Sequence, residues 1–268
     1  MSLLRVGVAQ TDVRLGDREG NYRRTAEMLA DRWLPSETET AVVLPEIWDV
    51  GYVIDSPGTY GDTDASQAAA FLGSLARKHN CWFVGGSVLA VTDEGAFNRA
   101  MAVAPDGAYV AHYDKAHLIS LMDEDKYLVP GNKRSLFNIG GTRAAMAICY
   151  DLRFCEWLRL YATEGAQVLF ISAEWPKSRV DHWRVLLQAR AIEDMMYVVG
   201  CNRVGTSNGT EFGGHSMVVD PWGEILYEGG DAEDFAFVEF DVEKTEKARS
   251  FLQVLSARRP ELYVENLR

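Results

Sequence analysis

No lysine- or arginine-rich run, no CxxC pair and no apolar stretch approaching the roughly 20 residues of a membrane-spanning helix occurs in this chain. The first absence, with 39 acidic against 27 basic residues and a net charge of −12, argues against a nucleic-acid partner, because such a surface repels a phosphate backbone. The second, with four scattered cysteines (Cys81, Cys149, Cys155 and Cys201), excludes a disulfide framework and a zinc-ligand spacing. The third argues against a membrane partner. Residues 1–10 lack the basic region and long apolar run of a signal peptide, so the expected compartment is cytoplasmic. Repeats, low-complexity tracts and linkers are also missing. What remains is 268 residues of ordinary globular composition, 47% hydrophobic and 25% charged, read as one domain over 1–268. Residues 256–268 are less patterned and form a candidate interface arm.

Strand-like and helix-like patterns alternate for most of the length. Leu4–Gln10, Thr40–Leu44 and Cys81–Val91 read as strands, while Asn21–Trp33 and Ala65–Asn80 carry apolar residues at helical spacing. Pro105-Asp106-Gly107 and Asp220-Pro221-Trp222-Gly223 mark two hairpin turns. Arg143–Ile148, a helix through Ala162 and Gln167–Ser172 make a βαβ unit, followed by a helix over His182–Met195 and a strand over Tyr197–Asn202. Phe235–Phe240 is a last strand and Val242–Phe251 a charged helix. About a dozen strands exceed what one twisted sheet usually holds. The expected fold is therefore α/β, with two mixed sheets packed together and helices outside.

Three reactive side chains follow strands in this pattern. Glu46 comes after Thr40–Leu44, Lys115 after Gly107–Tyr113, and Cys149 after Arg143–Ile148. The ends of strands in open α/β sheets are where ligands bind. A thiol at a strand-to-helix junction faces the positive end of a helix, which favours thiolate. Cleaving a carbon–nitrogen bond needs a nucleophile, a base that takes and returns its proton, and positive charge at the developing oxyanion. Cys149, Glu46 and Lys115 can supply these, with the Tyr150 N–H as a second oxyanion donor. Taken singly, the residues read as a buried thiol, a capping carboxylate and a solvated lysine; their joint placement carries the argument. Gly205-Thr206-Ser207-Asn208-Gly209 has the letters of a serine nucleophile elbow, but no helix follows it. That segment reads as a polar loop. A cysteine–histidine pair with His112, His117, His182 or His215 remains a further possibility.

Leu44-Pro45-Glu46, Tyr113-Asp114-Lys115-Ala116-His117-Leu118 and Ile148-Cys149-Tyr150-Asp151-Leu152-Arg153-Phe154 resemble, in order, the three signature blocks of the nitrilase superfamily, the carbon–nitrogen hydrolases. Gln188–Glu193 running to Cys201-Asn202, and Gly214-His215-Ser216 running to Asp220–Gly223, agree as well. The resemblance covers essentially the whole chain. It implies a four-layer α-β-β-α sandwich, Glu46 as general base, Lys115 as oxyanion-side lysine and Cys149 as nucleophile, with no metal or organic cofactor. In this family a second carboxylate in a block of the form Glu, six residues, Gly often assists; Glu124 followed by Gly131 fits it, either in catalysis or in fixing Lys115. The resemblance also implies at least a homodimer, joined through a helical face.

Narrower segments, Lys115–Glu124, Phe170–Pro176 through Asp181-His182-Trp183, and Glu211–Ser216, are similar to the bacterial omega-amidases, which act on the distal amide of 2-oxoglutaramate and related acids. Cys155 stands where that group usually has proline. A substrate of this kind carries a carboxylate at its far end. Arg153 is the candidate clamp, or alternatively a brace tied to Asp151 or Glu156. Trp175 is the candidate pocket wall. Aliphatic amidase, N-carbamoyl amine hydrolase and nitrilase activities share the catalytic groups and stay open, as does a non-catalytic binding protein on the same fold. A redox thiol pair of Cys149 and Cys155 is a more remote reading.

Overall fold

The computed structural model of the chain describes residues 2–263; Met1 and the last part of the candidate interface arm, 264–268, lie outside the described residues. Two mixed sheets stack face to face. The first has seven strands: Asp234–Asp241, Leu3–Gln10, Thr40–Val43, Trp82–Thr92, Gly95–Val103 and Tyr109–Asp114 in spatial order, with Asp62–Thr63 beside Trp82–Thr92. The second has six, in the order Ile225–Glu228, Met217–Val219, Tyr197–Asn202, Val168–Ala173, Thr142–Ile148 and Leu136–Ile139. In each sheet parallel strands occupy the middle and antiparallel strands the edges.

The layering follows from strands that are apolar on both faces, as strands covered on both sides must be. Ala41 and Val43, Val84, and Ala100 and Ala102 share a core with Ala145, Ala147, Leu169 and Ile171 of the second sheet. Their neighbours Val42, Phe83, Met101 and Val103 point the other way, onto Leu29, Leu72 and Leu75 of the helices Arg18–Arg32 and Ser66–His79. The period-two alternation of a strand makes this division. Helices Cys155–Thr163 and Val180–Asp194 cover the outer face of the second sheet through Leu158, Tyr161, Trp183 and Leu187. Each such side chain contributes about 1.5–3 kcal/mol on burial. The expected α-β-β-α sandwich is present.

One expected element differs. The segment read as a polar loop is a β-hairpin, Val204–Ser207 paired with Thr210–Gly213. Asn208 and Gly209 both have positive φ (48° and 75°), the two-residue turn whose twist matches the flanking strands. The edge strand Leu136–Ile139 was also not expected. No described helix is long and apolar enough to cross a membrane.

A β-bulge in Trp82–Thr92 links the fold to what lies above it. Pairing with Gly95–Val103 shifts between Val84 and Ser87, and the intervening Gly85 and Gly86 have φ of 73° and 72°. The bulge turns Ser87 towards the loop that carries Glu46. Its hydroxyl accepts the Ile47 N–H (2.9 Å) and its carbonyl the Trp48 N–H (3.1 Å), while its own N–H donates to the Pro45 carbonyl (3.2 Å). Gly86 N–H donates to Ser172 Oγ (2.6 Å), tying the first sheet to the second. A Cβ on Gly86 would lie 2.7 Å from the Leu44 Cβ and 3.1 Å from the Trp48 ring. Gly86→Ala is expected to lower unfolding free energy by about 1–3 kcal/mol, from strained backbone and the close contact. A urea midpoint shifted down at unchanged slope checks this; an unmoved midpoint refutes it.

Candidate active site

Glu46, Lys115, Glu124 and Cys149 are brought together between the two sheets, each buried. Lys115 Nζ lies 2.8 Å from Glu46 Oε1 and 2.8 Å from Glu124 Oε1. Its backbone is held on both sides: Lys115 N–H donates to Asn98 O (2.9 Å) and Gly131 N–H to Lys115 O (2.9 Å). Glu46 Oε1 also accepts Asn98 Nδ2 (2.8 Å), and Oε2 accepts the Glu174 N–H (2.8 Å). Glu124 Oε2 accepts the Ile119 N–H (2.8 Å). The Tyr52 hydroxyl reaches Glu124 Oε1 at 2.5 Å, with Glu46 Oε1 at 3.2 Å as its other acceptor.

The electrostatics follow from one cation among several acids in a dry site. Burial alone would lower the Lys115 pKa, but Glu124 and Glu46 overcome it and hold the ammonium well above the usual lysine range. Lys115 is therefore charged. Burial and then Glu46 push the Cys149 thiol well above its ordinary pKa; Lys115 opposes them and Glu124 adds to them. This corrects the thiolate expectation. The α-helix begins only at Cys155, and Cys149 opens a 3₁₀ turn, Cys149–Arg153, so the full helix terminus does not sit at the sulfur. The resting group is a thiol beside a carboxylate. Glu46 Oε2 carries one donor, so it keeps room to accept the thiol proton.

Asp151 shapes the turn that presents the sulfur. It is buried and accepts from Ile148 N–H (3.0 Å), Tyr113 Oη (2.8 Å) and His117 N–H (3.1 Å), with His117 Nδ1 at 2.7 Å. Cys149 itself has φ of 43°, a left-handed value that a non-glycine residue holds only when its surroundings enforce it. His117 thus braces the turn and stacks on Phe154 with ring centroids 3.7 Å apart. His215 pairs with Glu228, and His182 approaches Arg153. No histidine lines the cavity that holds Cys149 among the described residues, which removes the cysteine–histidine pair. Cys155 is exposed and also outside that cavity.

The cavity has a volume of about 340 Å³ and is lined by Cys149, Tyr150, Arg153, Trp175 and Arg179, among others. Arg153 does not brace the turn through Asp151 or Glu156. Its guanidinium lies over the Trp175 ring, 4.7 Å from the centroid, with one nitrogen 3.4 Å from His182 Nδ1. Trp175 lines the same cavity. A larger open groove of about 910 Å³, around the Arg99–Asp114 pair, contains none of the cluster. No group of His, Cys, Asp and Glu suited to a metal ion occurs among the described residues.

Sequence reasoning missed Tyr52, Asn98 and Glu174. Glu174 follows the strand Val168–Ala173 and lines the cavity; its Oε2 meets buried Arg203 (3.1 Å), and its Oε1 has no hydrogen-bond partner. Two signals were available: its position directly after a central strand, and its place inside the segment Phe170–Pro176 that resembles the omega-amidases.

The carbon-nitrogen hydrolase family profile matches residues 5–250. The chain belongs to the carbon-nitrogen hydrolase family. It is 38% identical to a 2-oxoglutaramate amidase of Bacillus subtilis over 96% of this chain and 98% of that protein. Among solved structures, a CN-hydrolase superfamily protein from Xanthomonas campestris superposes with a TM-score of 0.89 at 27% identity, covering 97% of this chain and 98% of that one. An amidase from Nesterenkonia sp. AN1, seen with a covalent adduct on its active-site cysteine, superposes with a TM-score of 0.83 at 25% identity, over 97% and 95% of the two chains. The chain is thus an enzyme that hydrolyses carbon–nitrogen bonds.

Burial pushes the Glu174 pKa up to about 8; Arg203 opposes this and Glu46 reinforces it. Below that value the carboxyl keeps its proton, and above it a further negative charge acts on Glu46 and Lys115. Ionisation then offsets part of the Lys115 positive charge available to a developing oxyanion. We expect kcat/KM to fall as pH rises through about 8, and Glu174→Gln to move that alkaline limb to higher pH. A variant profile superimposable on the wild type would refute the assignment.

Proposed function

We propose that this hydrolase cleaves the omega amide of a 2-oxo dicarboxylic acid monoamide such as 2-oxoglutaramate, through a thioester on Cys149, with release of ammonia. The carrying observation is the buried lysine held between two carboxylates beside a thiol, at a cavity with an arginine on its wall. The B. subtilis relative's name and the shared segments support the substrate class.

In this reading Glu46 takes the Cys149 proton as sulfur attacks the amide carbon. Two of the three Lys115 N–H groups are committed to Glu46 and Glu124 at 2.8 Å, and the Tyr52 hydroxyl is a weaker partner at 3.5 Å that substrate can displace. The third faces the oxyanion, together with the Tyr150 N–H, which precedes the first acceptor within its turn. Glu46 returns the proton to nitrogen, the C–N bond breaks, and ammonia leaves a thioester. Glu46 then deprotonates water, which attacks the thioester carbon; the proton passes to sulfur, releasing the acid and restoring the thiol. Glu124 acts by holding Lys115 in position. Arg153 binds the far carboxylate against the Trp175 face, a flat guanidinium being suited to both. The uncombined cysteines fit a cytoplasmic protein.

Ammonia release should be fastest from 2-oxoglutaramate among 2-oxoglutaramate, glutaramate, a nitrile and an N-carbamoyl amino acid, and absent in Cys149→Ala. Mass spectrometry of quenched wild-type enzyme should find the acyl group on Cys149. Turnover by Cys149→Ala would refute the mechanism, and preference for a nitrile or carbamoyl compound the substrate. Lys115→Met should lose about 100- to 1,000-fold in kcat. It should also lose about 3–5 kcal/mol of stability, because two buried carboxylates remain without their cation. A variant with wild-type turnover would exclude the oxyanion role.

We also propose a homodimer joined through the outer helical face. Val185 and Ile192 on Val180–Asp194 are exposed, as are Trp222 and Phe251, whose rings meet edge to face at 5.8 Å. Val185→Glu should shift the mass measured by light scattering from dimer to monomer; a monomeric wild type would refute this.

A further inference from the structure

The cations between Arg153 and Arg190 divide into two groups. Arg159 pairs with Asp194 (2.9 Å), Lys177 with Glu211 (2.8 Å), Arg184 with Glu228 and Arg190 with Glu193. Arg153 and Arg179 have no carboxylate within ion-pair distance among the described residues, and both line the cavity that holds Cys149. The cavity's own carboxyl, Glu174, is turned to Arg203 and keeps its proton below about pH 8. On a chain of net charge −12, where acids are plentiful, two arginines without acidic partners lining one cavity make a local anion site against the prevailing field.

Trp175 places both of them. Its ring face carries the Arg153 guanidinium, and its indole N–H donates to the Arg179 carbonyl at 2.8 Å. This bond fixes the turn Lys177–Arg179 at the cavity edge. Lys177, two residues earlier in the same turn, is by contrast neutralised by Glu211 and Asp231.

We infer that Arg179 is a second specificity-determining residue: with Arg153 it forms a two-guanidinium clamp that selects amides bearing a carboxylate at the end distant from the scissile bond. The inference rests on the reading of this cavity as the amide site. Two planar forks can hold both oxygens of one carboxylate while leaving N–H groups for a neighbouring 2-oxo oxygen, which a single arginine stacked on a tryptophan does less completely. Neutral amides gain nothing from such a clamp.

Calorimetric binding to Cys149→Ala protein tests the clamp without turnover. The probes are glutaramate and pentanamide, of equal chain length, with and without the carboxylate. Charge-assisted hydrogen bonds are worth enough that Arg179→Met should weaken glutaramate binding about 10- to 100-fold. Pentanamide should change less than about twofold, because it makes no such bond. Arg179→Lys should restore part of the loss, since it keeps the charge but not the fork. Equal weakening of both probes would show a structural role and overturn the clamp. So would a Cys149→Ala protein that binds pentanamide as tightly as glutaramate, or that binds no glutaramate at millimolar concentration. The two readings fail separately. A wild-type enzyme that releases no ammonia from any amide, yet binds glutaramate through Arg179, would sink the hydrolase mechanism and leave the clamp standing.

Discussion

One ammonium buried between two carboxylates organises the site. Lys115 has no contact with water, and its charge persists only because Glu46 and Glu124 each lie 2.8 Å away. Removing either acid would leave the balance of desolvation against attraction less favourable, and removing the lysine would leave two like charges face to face. The surrounding donors, from Asn98, Tyr52 and the amides of Ile119 and Glu174, spread the remaining negative charge. The cluster is therefore rigid as well as charged, which is what stabilising a developing oxyanion requires.

The fold delivers this cluster by holding three strand ends in one place. The glycine bulge in Trp82–Thr92 fixes the Glu46 loop through Ser87, and Asp151 fixes the turn that presents Cys149. Both devices use positive φ, at Gly85 and Gly86 in one case and at Cys149 in the other. The strain is tolerated because two stacked sheets with helices outside leave the surrounding backbone little freedom. The packed core is thus the support for chemistry carried on loops.

A buried thiol beside an acid also changes how the nucleophile works. In the proposed mechanism its proton stays on sulfur until Glu46 removes it, so activation is tied to substrate rather than standing ready in the resting enzyme. This protects a cysteine from adventitious oxidation, which follows thiolate character and exposure. Specificity in this proposal is set elsewhere, on the wall around Trp175, where Arg153 and Arg179 lack acidic partners. In this proposal chemistry and selection occupy adjoining but separate groups of residues.

The amino-acid sequence by itself determined the layered α/β class, because period-two runs and helical spacing are local. It also determined the family and the positions of Glu46, Lys115, Glu124 and Cys149, whose short blocks are contiguous. The hairpin around Asn208-Gly209 is legible as well, since that dipeptide is a strong turn signal, although the polar residues beside it read as a loop. Only the tertiary structure decided the partners of those four residues. Asn98 and Glu174 reach Glu46 from 52 and 128 residues away, and no local pattern encodes such a contact. The same holds for the protonation of Cys149, and for which arginines lack acids: both depend on burial and on charges brought near by packing, which a linear spacing does not contain.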